Sequence, residues 1–232
     1  MRPDGEELER LEAEIVRCRA CPRLVAWREE AAADPPRRFR GERYWARPVP
    51  GFGDPAAAIV LVGLAPAANG ANRTGRMFTG DRSGEWLYRA LWRAGFADRP
   101  ESVARDDGMR LDGAWITAPV RCAPPGNAPT PAERDACAPF LERELALLAD
   151  ARVYVALGAF GFDRVARALG TSRWPWFGHG VEVPLGGDRT LLGCYHVSQQ
   201  NTFTGRLTEP MLDAVLARAR ELAGLEAASP PE

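Results

Sequence analysis

The 232-residue chain contains no lysine; all 30 of its Lys and Arg positions are arginine. A lysine Schiff base is therefore unavailable, and only the α-amino group is left for imine chemistry. Histidine is nearly as scarce, with His179 and His196 alone. No apolar run approaches the ~20 residues that span a bilayer. The opening Met-Arg-Pro-Asp-Gly-Glu-Glu lacks the hydrophobic core of a targeting peptide. The expected setting is the cytoplasm, with no membrane partner. A net charge of −1 gives no global argument for nucleic acid. Five cysteines in a cytoplasmic chain argue against a disulfide scaffold. There is no internal repeat and no linker long enough to divide the sequence, so one domain over 1–232 is expected, frayed at 226–232.

A hydrophobic content of 46% is that of a folded globular protein. Leu8, Leu11, Ile15 and Val16 mark one face of an N-terminal helix that leads into Cys18. Residues 31–55, rich in Pro, Arg and Gly, read as an irregular surface segment. Strands and helices then alternate: strand 57–64, helix 83–96, strand 114–120, helix 131–148, strand 152–157, and a helix from about 160 that stops at Gly170. Thr130-Pro131-Ala132-Glu133 is a capping box with proline at the first helical position. Trp174, Pro175, Trp176 and Phe177 form an aromatic cluster. Segments 181–183 and 189–195 read as strands, and a last helix runs from Thr208 to Gly224. This β-then-α order predicts a mostly parallel sheet covered on both faces.

The most informative stretch is the loop from Gly63 to Asp81, between the first strand and helix 83–96. Its four glycines and its small residues let backbone approach a ligand closely. A second unusual stretch, His196-Val-Ser-Gln-Gln-Asn-Thr-Phe-Thr-Gly-Arg-Leu-Thr208, begins where strand 189–195 ends. Open α/β sheets hold their ligands at these carboxyl ends. From Asn69 to Arg93, Arg73, Arg76, Arg82, Arg89 and Arg93 face only Asp81 and Glu85. The cysteines add a third signal. Cys18 and Cys21 form Cys-x-x-Cys, and Cys122 and Cys137 stand further on. Spacing alone leaves zinc and an iron–sulfur cluster equally open.

Together the blocks at Gly63–Trp86, Ile116–Cys137 and His196–Thr208 resemble the family 5 (type b) uracil-DNA glycosylases. The resemblance implies a three-layer α/β/α sandwich around a central, mostly parallel four-stranded sheet. It implies a 4Fe–4S cluster on Cys18, Cys21, Cys122 and Cys137, and leaves Cys194 as a buried core thiol. It also implies a monomer that removes uracil from double-stranded DNA, or single-stranded DNA, at a prokaryotic nucleoid. Such an enzyme rotates the nucleotide into a pocket.

Gly63, Ala65, Asn69, Phe78 and Ala118 would contact the base, with Phe78 as stacking platform; the alternative for Phe78 is a core side chain. Asp81 would orient the attacking water and stabilise the cationic sugar; the alternative is an N-cap of helix 83–96. His196, as a neutral imidazole, would donate to the developing uracil oxyanion, whereas His179 reads as a surface residue. Arg73, Arg76, Ser198 and Arg206 would meet phosphates, and the loop through Gln200, Asn201 and Phe203 would fill the vacated stack. The chain departs from the family at Asn69, often histidine, at Ala118, an asparagine in many relatives, and at Val197, usually proline. Fewer fixed polar partners predict broad, slow base removal. The rival is a non-catalytic protein with a four-cysteine metal site that recognises damaged or abasic DNA.

Overall fold

The computed structural model describes residues 3–171 and 176–226. Trp174 and Pro175 of the expected aromatic cluster, and nearly all of the tail expected to fray, lie outside them. Eight helices are described: α1 (Pro3–Arg17), α2 (Pro22–Ala33), α3 (Ala71–Thr74), α4 (Arg82–Arg93), α5 (Pro131–Leu147), α6 (Ala159–Leu169), α7 (Gln199–Phe203) and α8 (Glu209–Leu222). The strands are β1 (Phe52–Gly53), β2 (Ile59–Val62), β3 (Ala114–Thr117), β4 (Val153–Leu157), β5 (Glu182–Pro184) and β6 (Thr190–Cys194).

The sheet order is β1-β3-β2-β4-β6-β5. Its central four strands, β3, β2, β4 and β6, are parallel, in agreement with the expected sheet. Two short antiparallel edge strands, β1 and β5, widen it to six. The two-residue β1 lies inside the stretch expected to be irregular, and it is too short to carry an alternation.

Every residue of β2, β3 and β4 is buried, as strands covered on both faces must be. Alternate side chains feed different layers. Ile59, Leu61, Val153 and Val155 pack with Leu87 and Leu91 of α4 and Leu212 and Leu216 of α8. Val60, Val62, Tyr154 and Ala156 pack with Leu8 of α1, Leu141 and Leu145 of α5, and Phe162 and Val165 of α6. These are the three layers. The predicted face of α1 is correct at Leu8, Leu11 and Ile15.

The capping box is present. Glu133 N donates to Thr130 Oγ1 at 3.3 Å, and Thr130 N donates to Glu133 Oε2 at 2.7 Å. Phe177 packs edge-on to Phe162 at 5.5 Å. Trp176, by contrast, is 92% exposed, so the described part of the aromatic segment is not one cluster. No described helix is long and apolar enough to cross a membrane.

Candidate active site

β2 ends at Val62, and the chain enters the glycine-rich loop, which closes on α4. Two strands along, beyond β4, β6 ends at Cys194 and delivers His196 and α7. A cavity of about 330 Å³ opens between the two loops, lined by Ala65, Phe78, Asp81, Ser83, Asn127, His196, Ser198 and Gln200 among others. That volume suits a small ligand.

Phe78 holds a left-handed backbone, φ 52°, a conformation costing a non-glycine residue about 1–3 kcal/mol. Strain of this kind persists where packing over-determines it. Here the carbonyl of Phe78 lies against Gly84, and its ring lies on Gly63, where a methyl group would stand 2.8 Å from Cζ. Gly63→Ala is therefore expected to push the Phe78 ring across the cavity. In the activity that the resemblance implies, the single-turnover rate should fall by about 10-fold or more with the unfolding midpoint little changed, given that base stacking is worth about 1–3 kcal/mol. An unchanged rate would show that Phe78 is core packing alone.

Asp81 performs the role set as the alternative for it, and lines the cavity as well. Oδ1 accepts from Gly84 N at 3.0 Å as the N-cap of α4. Oδ2 lies against Gly70, where any side chain would collide with it. Burial raises the Asp81 carboxyl above its ordinary value, while the amides of Gly84 and Ser83 pull it back. His196 stands opposite, its ring centroid 6.1 Å from that of Phe78. Burial lowers its imidazole to about 4, so it is neutral near pH 7.

Several expected DNA contacts are corrected. Arg76 is 2% exposed, and both terminal nitrogens meet Asp107, at 2.8 and 2.5 Å. It is a buried strut that faces no DNA. Arg73 donates to the carbonyls of Asn69 (2.9 Å) and Gly80 (2.8 Å) and to Glu42 (2.6 Å), and so staples the loop. Asn201 Nδ2 donates to the carbonyl of His196 at 2.8 Å, and holds the imidazole's backbone in place. The guanidinium of Arg206 lies over the Tyr195 ring at 4.7 Å. Phe203 is 65% exposed beneath Arg82, while Ser198 and Gln200 line the cavity itself.

Among the expected base contacts, Ala65 and Phe78 line the cavity and Gly63 lies behind the Phe78 ring, but Ala118 does not reach it. It is buried in the core, so its side chain gives the cavity no wall. Asn69 accepts from Tyr44 Oη at 2.8 Å and lines a neighbouring cavity of about 290 Å³. That second cavity shares Ala67, Asp81 and Asn127 with the first.

Two residues escaped the sequence reading. Asn127 lines both cavities from a left-handed turn, φ 56°; the Pro-Pro-Gly-Asn composition at 124–127 marks a turn but not its direction. His179 is half-buried rather than a surface residue. Its Nδ1 accepts from Tyr195 N at 3.2 Å, and its ring packs on Tyr195 at 5.0 Å, which ties down the residue before His196.

The four expected metal ligands, Cys18, Cys21, Cys122 and Cys137, line one small cavity, while Cys194 is buried elsewhere in the core. As placed, no group of three or more His, Cys, Asp or Glu among the described residues could hold a metal ion. Burial pushes Cys122 up to about 11 and Cys137 to about 12. Arg28, 2% exposed, directs Nη1 at Cys122 Sγ, 3.0 Å away, and pairs with no carboxylate among the described residues. A buried cation without a carboxylate needs an anion nearby, and thiolates would supply it.

Residues 50–220 match the model of the uracil DNA glycosylase superfamily. The chain is 58% identical over 220 residues to the type-5 uracil-DNA glycosylase of Mycobacterium tuberculosis, covering 93% of this chain and 82% of that one. Its identity to the type-5 enzyme of Thermus thermophilus is 57% over 213 residues, covering 91% and 96%. The type-5 enzyme of Pyrobaculum aerophilum shares 45% over 210 residues, covering 90% and 91%. A type-4 enzyme of Thermotoga maritima matches over 112 residues only, at 36%. With an α/β sheet that gathers its distinctive loops around one cavity, and with matches that span most of its length, the chain belongs to the uracil-DNA glycosylase superfamily, in the type-5 family.

Proposed function

We propose that the chain is a monofunctional uracil-DNA glycosylase of base excision repair. The observation that carries this reading is the convergence of Phe78, Asp81 and a neutral His196 on one cavity. A uracil rotated out of the duplex stacks on Phe78. The C1′–N1 bond breaks, its electron pair leaves with the base, and the sugar becomes oxocarbenium-like. Asp81 Oδ2 faces that cation, orients the water that adds to C1′ and takes the proton that this water gives up, while Oδ1 stays bound to the helix terminus. His196, neutral, donates a hydrogen bond to the uracil oxyanion. It needs no proton from solvent to do so. With no lysine to form an imine, water is the nucleophile, and the product is an intact strand with an abasic site. Asn127 supplies an amide to the base edge in place of the one that Ala118 lacks. Uracil in double-stranded DNA is the foremost substrate, with other deaminated bases behind it, and the protein acts as a monomer.

The four cysteines suit a 4Fe–4S cluster better than zinc. A cluster binds each thiolate to its own iron, whereas zinc needs all its ligands about 2.0–2.3 Å from one centre. The cluster would tie the α1–α2 junction to the 122–137 segment, with Arg28 balancing its negative charge; its contribution is structural.

Incubation with a U·G duplex is expected to give strand breaks only after hot alkali, and anaerobically purified protein is expected to contain four irons. Breaks before alkali would contradict the monofunctional reading. A gel shift without any breaks would favour a binding protein, and one tightly held zinc would replace the cluster.

A further inference from the structure

The structure removes Arg73 and Arg76 from the DNA-facing set and leaves open what replaces them. Residues 37–43 carry four arginines. Arg37, Arg38, Arg40 and Arg43 are all exposed, and no ion pair or side-chain hydrogen bond engages them among the described residues. Elsewhere arginines are mostly paired: Arg93 with Asp213 and Glu209, Arg121 with Glu144, Arg143 with Glu14, and Arg218 with Glu182. The single carboxylate between 35 and 47 is Glu42. It is already engaged by Arg73 at 2.6 Å. A nearly neutral protein therefore carries a local run of uncompensated positive charge.

The position of that run points to its partner. Arg38 lines the cavity that Asp81 and Asn127 share with the base cavity. The run is also fixed in register with the catalytic loop. Trp45 N donates to the carbonyl of Arg73 (2.9 Å), Ala46 N to that of Asn72 (3.0 Å) and Tyr44 Oη to Asn69 (2.8 Å). The Phe39 ring carries the guanidiniums of Arg38, at 4.6 Å, and Arg73, at 4.1 Å. A segment that existed only for solubility would need none of these ties.

We infer that residues 37–43 form a phosphate-binding lip that grips the DNA backbone beside the flipped nucleotide, with Arg38 nearest the cavity. The inference rests on the glycosylase reading for the identity of the polyanion. Phosphates flanking a nucleotide that enters the base cavity must cross its rim, where the neighbouring cavity presents the guanidinium of Arg38, a group that suits phosphate oxygens. Such contacts position the duplex without reading sequence.

The test is the salt dependence of binding to a fluorescent duplex carrying one tetrahydrofuran abasic analogue, between about 50 and 200 mM KCl. Arg38→Gln should lower the slope of log K against log salt by about 1, and the triple variant R37Q/R38Q/R40Q by about 2–3. A charge-matched control, R10Q/R143Q/R218Q, replaces exposed arginines that line neither cavity. It should leave the slope as in wild type. Equal slopes for the lip and control triples would overturn the lip. Uracil excision by the wild type is measured on the same preparations and judges the glycosylase reading separately. Active wild type with an unmoved lip slope sinks the lip alone, and inactive wild type sinks the reading beneath it.

Discussion

Asp81→Asn is expected to slow uracil excision by about 10²–10⁴-fold, the range a positioned acid–base group contributes, while binding to abasic-analogue DNA stays within a few-fold. The choice of asparagine matters. Asp81 Oδ1 is the N-cap of α4, accepting from Gly84, and asparagine caps a helix as well as aspartate does. The variant thus keeps the fold of the loop and removes the charge at Oδ2, where the cationic sugar and its water would sit. Asp81→Ala would confuse the two roles, because a lost cap alone destabilises by about 1 kcal/mol. Single-turnover excision from a U·G duplex, read after alkali, provides the rate; anisotropy provides the affinity. A variant that excises at the wild-type rate would make Asp81 a cap and nothing more.

His196→Ala should lower the single-turnover rate by about 10²–10³-fold, the effect of deleting one donor to a developing oxyanion. The pH dependence separates this role from a cationic one. Burial holds the imidazole near 4, so the wild-type rate should cross pH 6.5 with no step due to His196. If the active form were imidazolium, the rate would instead climb as the pH fell through that value. Stability carries the same signature with a definite sign. The unfolded chain takes up a proton near pH 6.5 and the folded one near 4. Between those values the unfolded state holds more protons, so stability falls as the medium becomes more acid. Urea midpoints at pH about 5 and about 7 should differ more for the wild type than for His196→Ala. Equal differences would mean that His196 titrates normally in the fold.

Much of this was legible in the sequence because it is encoded locally. Ile59–Val62 and Val153–Leu157 are uninterrupted apolar runs, and runs of that kind become central parallel strands. The capping box at Thr130–Glu133 and the stop at Gly170 need only their neighbours. β1 was missed because two residues show no period, and α2 because Leu24 and Val25 are its only buried hydrophobic residues, too few to mark a face. Ala118 was read as a base contact from its place in a motif; its side chain in fact faces the core, since along a strand end one residue decides the face.

The sequence by itself determined the layered α/β class, the two loops that meet at the sheet's carboxyl end, the four cysteines, and the exclusion of lysine imine chemistry. Each of these is a matter of residue type and near-neighbour spacing. Only the tertiary structure decided which arginines are available to a ligand. Arg76 is removed from solvent by Asp107, 31 residues away, while Arg38, in a stretch that read as featureless surface, reaches the cavity that holds Asp81. Tertiary packing also decided that His196 is neutral, because an imidazole's charge follows its desolvation, and the groups that desolvate it come from separate parts of the chain.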